Sequence, residues 1–249
     1  MKTVPAAAHV LAILRYLAHQ AMPIHAATLA RDLSLPRSTV YQLLATLVDE
    51  GFVVHLPEDH RYGLGISAFE LGSGYTRQAP MQRLARAPLA ALVDNTGQTA
   101  HLAVLSGREV IYIIEERAPG RPLLVTDVDV RLPAQLTASG RAVLAAMPSA
   151  HVRALFPTSA DFILRTEQGP RSFSALLQLL VETRRRGFAI EVDEVTEGFS
   201  SLAVGVTDYA GHPVAAVAIT HPNVEPPPDA SAVIATAHEI GRRLGRPAP

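Results

Sequence analysis

The stretch between Pro36 and Glu50 carries the pattern that most constrains how this chain can fold. Its apolar residues recur three and four positions apart, which is the spacing that lines one face of an α-helix. They are Val40, Leu43, Leu44, Leu47 and Val48. Pro36 suits the first position of a helix, and Gly51 suits the left-handed residue that ends one. The sequence therefore predicts a helix between Pro36 and Glu50 with one side buried in a core.

The side of this helix opposite to the leucines is polar and free of acidic residues. It carries Ser38, Tyr41 and Gln42, with Arg37 at the amino-terminal tip. Hydrogen-bonding side chains of this kind can lie in the major groove of DNA. The free N–H groups and positive dipole end at the tip favour a phosphate, and Arg37 would reinforce that contact. This face therefore predicts a helix that reads DNA.

Two shorter helical patterns precede this helix, and a strand pattern follows it. Residues 52–56 and 61–64 predict two strands joined by a tight turn. Three helices followed by a β-hairpin predict a winged helix-turn-helix domain over residues 1–66, in which Arg61 lies on the wing.

Beyond this domain the pattern changes to strands that alternate with helices. The predicted strands are 100–105, 110–115, 189–192, 202–207 and 214–220, and the predicted helices are 139–146, 173–186 and 231–244. Residues 208–213 predict a hairpin turn between the last two strands. An antiparallel sheet with helices packed on it gives an α+β fold. A linker helix from Ile66 to Tyr75 leads into this second domain, which we expect to span residues 67–249.

The composition excludes several kinds of site and gives no overall sign of nucleic-acid binding. Because the 249 residues include no cysteine, disulfides, thiolate metal sites and cysteine nucleophiles are excluded. The ten histidines show no ligand spacing such as His-Glu-x-x-His, and neither a metal nor another cofactor is predicted. The net charge of -1 lacks the basic excess common in nucleic-acid binders. No secretory signal or membrane span is evident, which predicts a cytoplasmic protein.

Four stretches of the chain carry a resemblance that reaches from one end to the other. The first two are LARDLSLPRSTVYQLLATLVDEGFV and HRYGLGISAFELG. The other two are LTASGRAVLAAM and RGFAIEVDEVTEGFSSLAVGVTDYAGHPVAAVAIT. In this order they resemble the DNA-binding half and then the effector-binding half of the IclR family of bacterial transcriptional regulators.

The resemblance implies a transcription regulator that binds a palindromic operator in double-stranded DNA and responds to a small-molecule effector. Members of the family are homodimers or dimers of dimers. Their effector domains resemble the GAF fold and bind small metabolites, commonly organic acids. The second domain of this chain is therefore expected to be a GAF-like antiparallel-sheet domain.

The family's groove-facing positions fall on five residues of this sequence, and its wing touches adjacent backbone. The five are Arg37, Ser38, Thr39, Tyr41 and Gln42. Many members carry arginine where this chain has Gln42. Because glutamine pairs with adenine and arginine with guanine, we expect a different operator base at this position.

The resemblance also implies the residues of an effector pocket. They are Ala138, Ser139 and Gly140 in a small-residue loop, together with Glu191, Ser201 and Thr220. Two positions depart from the family, because Ser201 stands where cysteine is common and Ala218 lacks a hydroxyl. We therefore expect a larger or less polar effector, such as an aromatic acid.

Two other functions stay open at this point. A small-molecule hydrolase would use Ser139 or Ser201 as its nucleophile with a histidine such as His101 as the base. No Gly-x-Ser-x-Gly elbow is present, and neither serine has a base predicted beside it. A ligand-independent DNA-binding protein would use its large domain only to dimerise. A metabolite that shifts the melting temperature or the DNA affinity would exclude that second alternative.

Overall fold

The computed structural model describes residues 4–78, 80–126, 128–208 and 211–245. Contacts divide the chain into two compact units, Met1–Ala79 and Pro80–Pro249. None of the helices in the described part of the chain is long and apolar enough to cross a membrane.

The first unit combines helices with a small three-stranded sheet. Its helices are α1 (Pro5–Ala18), α2 (Ala26–Asp32), α3 (Arg37–Asp49) and α4 (Ile66–Gln78), and its strands are β1 (Ile24–His25), β2 (Val53–Leu56) and β3 (Arg61–Leu64). The strands are antiparallel in the order β1-β3-β2, so β2 and β3 form the expected hairpin. The first three helices enclose a core that includes Ile13, Leu29 and Leu44. This arrangement confirms the predicted winged helix-turn-helix.

Helix α3 has the buried and exposed sides that its sequence predicts. Val40, Leu44 and Leu47 are buried in the core of the first unit, and the opposite side faces solvent. The chain leaves the helix at Gly51, whose φ of +72° lies in the left-handed region. A Cβ atom at this position would lie 2.8 Å from Ser67 Oγ. Glycine therefore lets the helix stop and the chain turn into β2.

The second unit contains one six-stranded antiparallel sheet. Its strands are β4 (Thr99–Ser106), β5 (Glu109–Glu116), β6 (Arg131–Pro133), β7 (Ala189–Val192), β8 (Phe199–Thr207) and β9 (Pro213–Pro222). Its helices are α5 (Pro80–Thr96), α6 (Ala138–Ala146), α7 (Ser149–Leu155), α8 (Phe173–Arg186) and α9 (Ala230–Leu244). The strand order is β6-β5-β4-β9-β8-β7, which places β4 and β9 at the centre.

Helices cover both faces of this sheet, and the predicted α+β class is confirmed. Leu89 of α5 and Ile240 of α9 belong to the core on one face. Leu144 of α6 and Leu180 of α8 belong to the core on the other face. Successive residues of a strand point to opposite faces, so the central strands are buried on both sides. Polar residues in these strands therefore face packed protein and need partners.

The first compact unit ends at Ala79, and the domain boundary expected at residues 66 and 67 stays a prediction. Helix α4 lies within the first unit, where Ser67 Oγ donates a hydrogen bond to the Glu50 carbonyl oxygen at 3.0 Å. The turn expected at residues 208–213 joins β8 to β9. Its residues 209 and 210 lie outside the described residues.

Candidate functional sites: a helix face and a buried cavity

The polar side of α3 is open to solvent. Arg37, Ser38, Tyr41 and Gln42 are exposed, and Thr39 is half-buried. The large ring of Tyr41 keeps 54% of its surface exposed. None of these five side chains forms a hydrogen bond with another residue that the structure describes. These groups are therefore free to contact a partner.

The wing residue Arg61 is only partly available to a partner. It is half-buried, and its Nη1 donates a hydrogen bond to the Pro23 carbonyl oxygen at 3.4 Å. The neighbouring Tyr62 stacks on His55 with the ring centroids 4.6 Å apart. Arg61 thus ties the wing to the segment before β1, and its contact with DNA stays a prediction.

Three residues expected in the effector pocket form a single polar row across the sheet. Glu191 on β7 pairs with Ser201 on β8, and Ser201 pairs with Thr220 on β9. Residues that face each other on neighbouring strands point to the same side of a sheet. The Ser201 hydroxyl donates to Glu191 Oε1 at 2.8 Å and lies 3.0 Å from Thr220 Oγ1. The three side chains consequently form one hydrogen-bonded cluster, and all three line a cavity in the second unit.

The small-residue loop forms the start of α6 at the same cavity. Thr137 caps the helix, because its Oγ1 accepts a hydrogen bond from the Gly140 amide at 2.9 Å. The amides of Ala138 and Ser139 belong to the first turn, where N–H groups have no acceptor within the helix. Both residues line the cavity, so the positive end of the helix dipole lies there.

Gly140 has a different position from the other residues expected in the pocket. It does not line the cavity, and its amide is already bonded to Thr137. A Cβ atom at this position would overlap the backbone of Ala134. Gly140 therefore lets α6 begin directly against the preceding turn, which fixes where Ala138 and Ser139 lie.

Burial controls the charge of Glu191. Its residue surface is only 3% exposed, and this loss of solvation raises the pKa of the carboxyl group to about 7. Hydrogen bonds from the Ser201 hydroxyl and the Glu194 amide favour the charged form and oppose the rise. Glu191 consequently exchanges a proton close to neutral pH.

A buried ion pair between Arg141 and Glu194 lies next to the Glu191 carboxylate. Arg141 is 1% exposed, and its Nη1 donates to Glu194 Oε1 at 2.8 Å while Nη2 donates to the other carboxylate oxygen. The guanidinium also donates to the carbonyl oxygens of Gln135 at 2.8 Å and Ile190 at 3.0 Å. The amide of Glu194 in turn bonds to Glu191 Oε2 at 3.2 Å. The pair thus links α6 to the acidic residue of the cavity.

The cavity includes residues that the sequence did not assign to it. His101 and Tyr112 are the polar ones on β4 and β5, and their rings meet edge to face with centroids 5.3 Å apart. Burial raises the pKa of the Tyr112 hydroxyl above its usual range, and contact with Ser139 opposes this. The other unassigned lining residues are Leu124, Val125, Thr126, Thr137, Val195, Thr196 and Phe199. In the sequence, the signal that could have indicated them is a polar residue within an otherwise apolar strand, as His101 is in β4 and Tyr112 is in β5.

The cavity is nearly filled by its own walls. The space open to the centre of a water molecule is about 20 Å³, which suffices for about one water. One wall consists of Leu124, Val125 and Thr126, which lie in the segment between β5 and β6. An organic acid would therefore have to displace part of the lining.

Two domain descriptions of one protein family match successive parts of the chain. The family described as "IclR helix-turn-helix domain" matches residues 6–57. The family described as "Bacterial transcriptional regulator IclR C-terminal" matches residues 73–240. Among relatives, the glycerol operon regulatory protein of Streptomyces coelicolor is 32% identical and covers 84% of this chain and 81% of its own length.

Solved structures have the same fold over almost the whole chain. The IclR transcriptional regulator from Alicyclobacillus acidocaldarius has a TM-score of 0.83 at 24% identity, covering 98% of this chain and 100% of its own. An IclR homolog from Microbacterium hydrocarbonoxydans, solved in complex with 4-hydroxybenzoate, has a TM-score of 0.76 at 22% identity. That match covers 96% of this chain and 98% of the homolog. At these identities the likeness shows the fold.

Proposed function

This chain belongs to the IclR family of bacterial transcriptional regulators, and on that premise we propose that it binds a palindromic DNA operator and responds to a small organic acid. The observation that carries the DNA-binding part is the exposed polar side of α3, whose side chains are unpartnered among the described residues. Arg37 at its tip meets a phosphate, and Tyr41 and Gln42 meet base edges in the major groove. A protein that acts on operator DNA works in the cytoplasm.

A homodimer presents two such helices to the two halves of a palindrome. Helix α4 supports this part of the proposal, because it exposes the large apolar side chains of Ile66, Phe69 and Leu71. Ile66 and Phe69 are three positions apart and therefore share one side of the helix. Exposed apolar side chains that lie next to each other are typical of an interface with another protein. We propose that the exposed apolar side of α4 forms the contact between the two chains of the dimer. A tetramer would be a pair of such dimers.

The effector binds in the cavity of the second unit, with its carboxylate on the first-turn amides of Ala138 and Ser139. A helix amino terminus is a favourable place for an anion. The row of Glu191, Ser201 and Thr220 holds the polar groups at another wall of the cavity. The 4-hydroxybenzoate complex of the Microbacterium homolog supports an aromatic acid as the ligand class.

Catalysis is not part of the proposal. The Ser201 hydroxyl is bonded to Glu191, and His101 Nε2 contacts Thr126 Oγ1. Among the residues that the structure describes, neither Ser139 nor Ser201 is therefore hydrogen-bonded to a histidine base. No group of three or more metal-binding side chains lies together among the residues described. The relatives are transcription regulators. We therefore propose neither a hydrolase activity nor a cofactor.

Operator binding is tested with Arg37→Ala. We expect the variant to lose about fivefold in operator affinity, or about 1 kcal/mol, and to show a weaker salt dependence because one phosphate contact is gone. The operator is first selected from random duplexes with the wild-type protein, and affinity is then measured at low and high salt. Arg171→Ala, at an exposed arginine of the second unit, is the matched control and should bind like the wild type. Equal affinity of wild type and Arg37→Ala at both salt concentrations would refute the assignment.

Effector binding is tested by thermal shift with a panel of organic acids that includes 4-hydroxybenzoate. A ligand that binds only the folded protein raises its melting temperature. We expect Glu191→Gln to keep operator affinity but to lose most of the ligand-induced change in that affinity, because the polar row is altered. The exposed Glu182→Gln is the control and should respond like the wild type. An intact response in Glu191→Gln would remove Glu191 from the pocket.

A further inference from the structure

His101 is a fully buried side chain at the centre of the sheet with one ring nitrogen left unpaired. On β4 it pairs with Ala218 of β9 on one side and with Glu115 of β5 on the other. Its Nε2 lies 2.8 Å from Thr126 Oγ1. Its Nδ1 is buried, and no residue in the described part of the chain gives it a hydrogen bond. Since His101 lines the cavity, this nitrogen belongs to a ring that a bound effector would contact.

A bulge between β4 and β5 gathers the polar neighbours of His101 on one face of the sheet. The register shifts between Leu102 and Ala103, so that Ala103 pairs with Tyr112 while His101 pairs with Glu115. Tyr112 and Glu115 therefore share the face of His101, although an odd number of positions separates them. The surroundings of His101 thus combine a hydroxyl, a carboxylate and an aromatic ring.

Nε2 of His101 has a carboxylate close by in addition to the Thr126 hydroxyl. Glu115 Oε2 lies 3.7 Å from Nε2, and Arg117 Nε donates to Glu115 Oε1 at 2.9 Å. His101, and after it Arg117, hold the pKa of the Glu115 carboxyl below its usual range against the opposing effect of burial. An ionised carboxylate only accepts hydrogen bonds, so it favours the tautomer with its N–H at Nε2. Nδ1 is then a buried acceptor, and an unpaired buried acceptor costs stability until a donor reaches it.

We propose that His101 recognises the effector by accepting at Nδ1 a hydrogen bond from a hydroxyl group of a hydroxylated organic acid. This inference rests on the proposed function, because it takes the cavity as the effector site. Directly opposite on β9, Ala218 offers only a methyl group, so the protein does not supply the donor from that position. The ligand supplies it. The effector is then a carboxylic acid whose carboxylate meets the α6 amides and whose hydroxyl meets His101.

Three probes of similar size separate this hydrogen bond from general aromatic binding. 4-Hydroxybenzoate carries a donor, whereas benzoate and 4-fluorobenzoate carry none. We expect the full-length wild type to bind 4-hydroxybenzoate at least about fivefold more tightly than either of the others, measured by calorimetry. Equal binding of the three overturns the role of His101 and leaves the effector cavity standing. Absence of binding by all three, with operator binding retained, overturns the aromatic-acid part of the proposed function and this inference with it.

Ala218→Ser tests the same bond without removing the histidine. A serine there places a hydroxyl directly opposite the ring, where it can pair with Nδ1 from within the protein. We expect the preference for 4-hydroxybenzoate to fall below about twofold, since the acceptor no longer needs the ligand. Ala203→Ser adds a hydroxyl in the same cross-strand row but one strand farther from His101, and should keep the preference. A preference that survives in Ala218→Ser overturns the inference.

Nitrogen NMR of the histidine side chains gives a readout that needs no ligand. The His101 signals are assigned by their loss in His101→Phe, and Ala218→Ser is compared with the wild type. We expect an unprotonated Nδ1 in the wild type and a shift of that resonance in Ala218→Ser. A protonated Nδ1 in the wild type overturns the inference, because the nitrogen would then be a donor.

Discussion

The carboxyl group of Glu191 makes the stability of the protein depend on pH near neutrality. Its pKa rises from an ordinary value of 4.5 to about 7 on folding, chiefly because the folded protein removes it from water. Between these values the unfolded chain releases the proton while the folded protein keeps it. The stability that this group contributes is therefore complete below pH 4.5 and is lost as the pH rises through about 7.

We expect Glu191→Gln to remove this dependence, because glutamine has no charge to bury. Relative to the wild type, the free energy of unfolding of the variant should gain up to about 3 kcal/mol as the pH rises from about 5 to about 8. Chemical unfolding at a series of pH values measures the gain. Any constant cost of the altered hydrogen bonds cancels, since only the pH dependence is compared. Parallel curves for the two proteins would contradict the raised pKa.

At the scale of elements, sequence patterns predicted the limits of a helix when the signals for that helix lie within its own residues. Helix α3 contains its own apolar stripe, and Gly51 follows its last turn, so its limits were predicted to within a residue or so. Helix α5 was not predicted, since Pro88 lies in its interior and removes a backbone donor. Its helical form depends on the packing of Ala85 and Leu89 in the core on one face of the sheet. That support comes from residues far along the chain.

The candidate cavity likewise combines residues that the sequence predicted with residues that only the folded structure brings together. Glu191, Ser201 and Thr220 were expected from a family resemblance that runs along consecutive motifs. His101 and Tyr112 join them only through strand pairing and a bulge, which no local pattern reveals. The charge state of Glu191 likewise depends on burial by other elements, so it could not be predicted from sequence.

Thr137 determines how firmly α6 begins. We expect Thr137→Val to lower the free energy of unfolding by about 1 kcal/mol, because it removes the acceptor for the Gly140 amide and keeps the shape of the side chain. Thr236→Val is the control, as it deletes a hydroxyl that donates to the Ala232 carbonyl oxygen at 2.9 Å within α9. Its effect should stay within about 0.5 kcal/mol. Urea unfolding compares the two, and equal losses would argue against a capping role.

At the scale of the whole molecule, the proposed function requires two copies of the chain, and α4 carries the surface proposed to join them. Phe69 is 71% exposed within one copy. We expect Phe69→Ser to weaken self-association by at least about tenfold, because a two-fold interface loses the buried ring twice. Sedimentation measures the association, and operator affinity should fall with it. Val224→Ser, at a side chain 95% exposed on the second unit, is the control. Unchanged association in Phe69→Ser would move the interface elsewhere.

The close approach of Gly140 to Ala134 has a consequence for anyone who wishes to retune this protein as a biosensor. Backbone donors at the start of α6 are held by main-chain packing, so they survive exchanges of the surrounding side chains. On the proposed function, a library directed at positions 201, 218 and 220 searches for new inducers while the backbone amides proposed to bind the carboxylate keep their place. Randomising position 140 would move the start of α6, so we expect it to weaken the binding of every acid that uses the proposed amides.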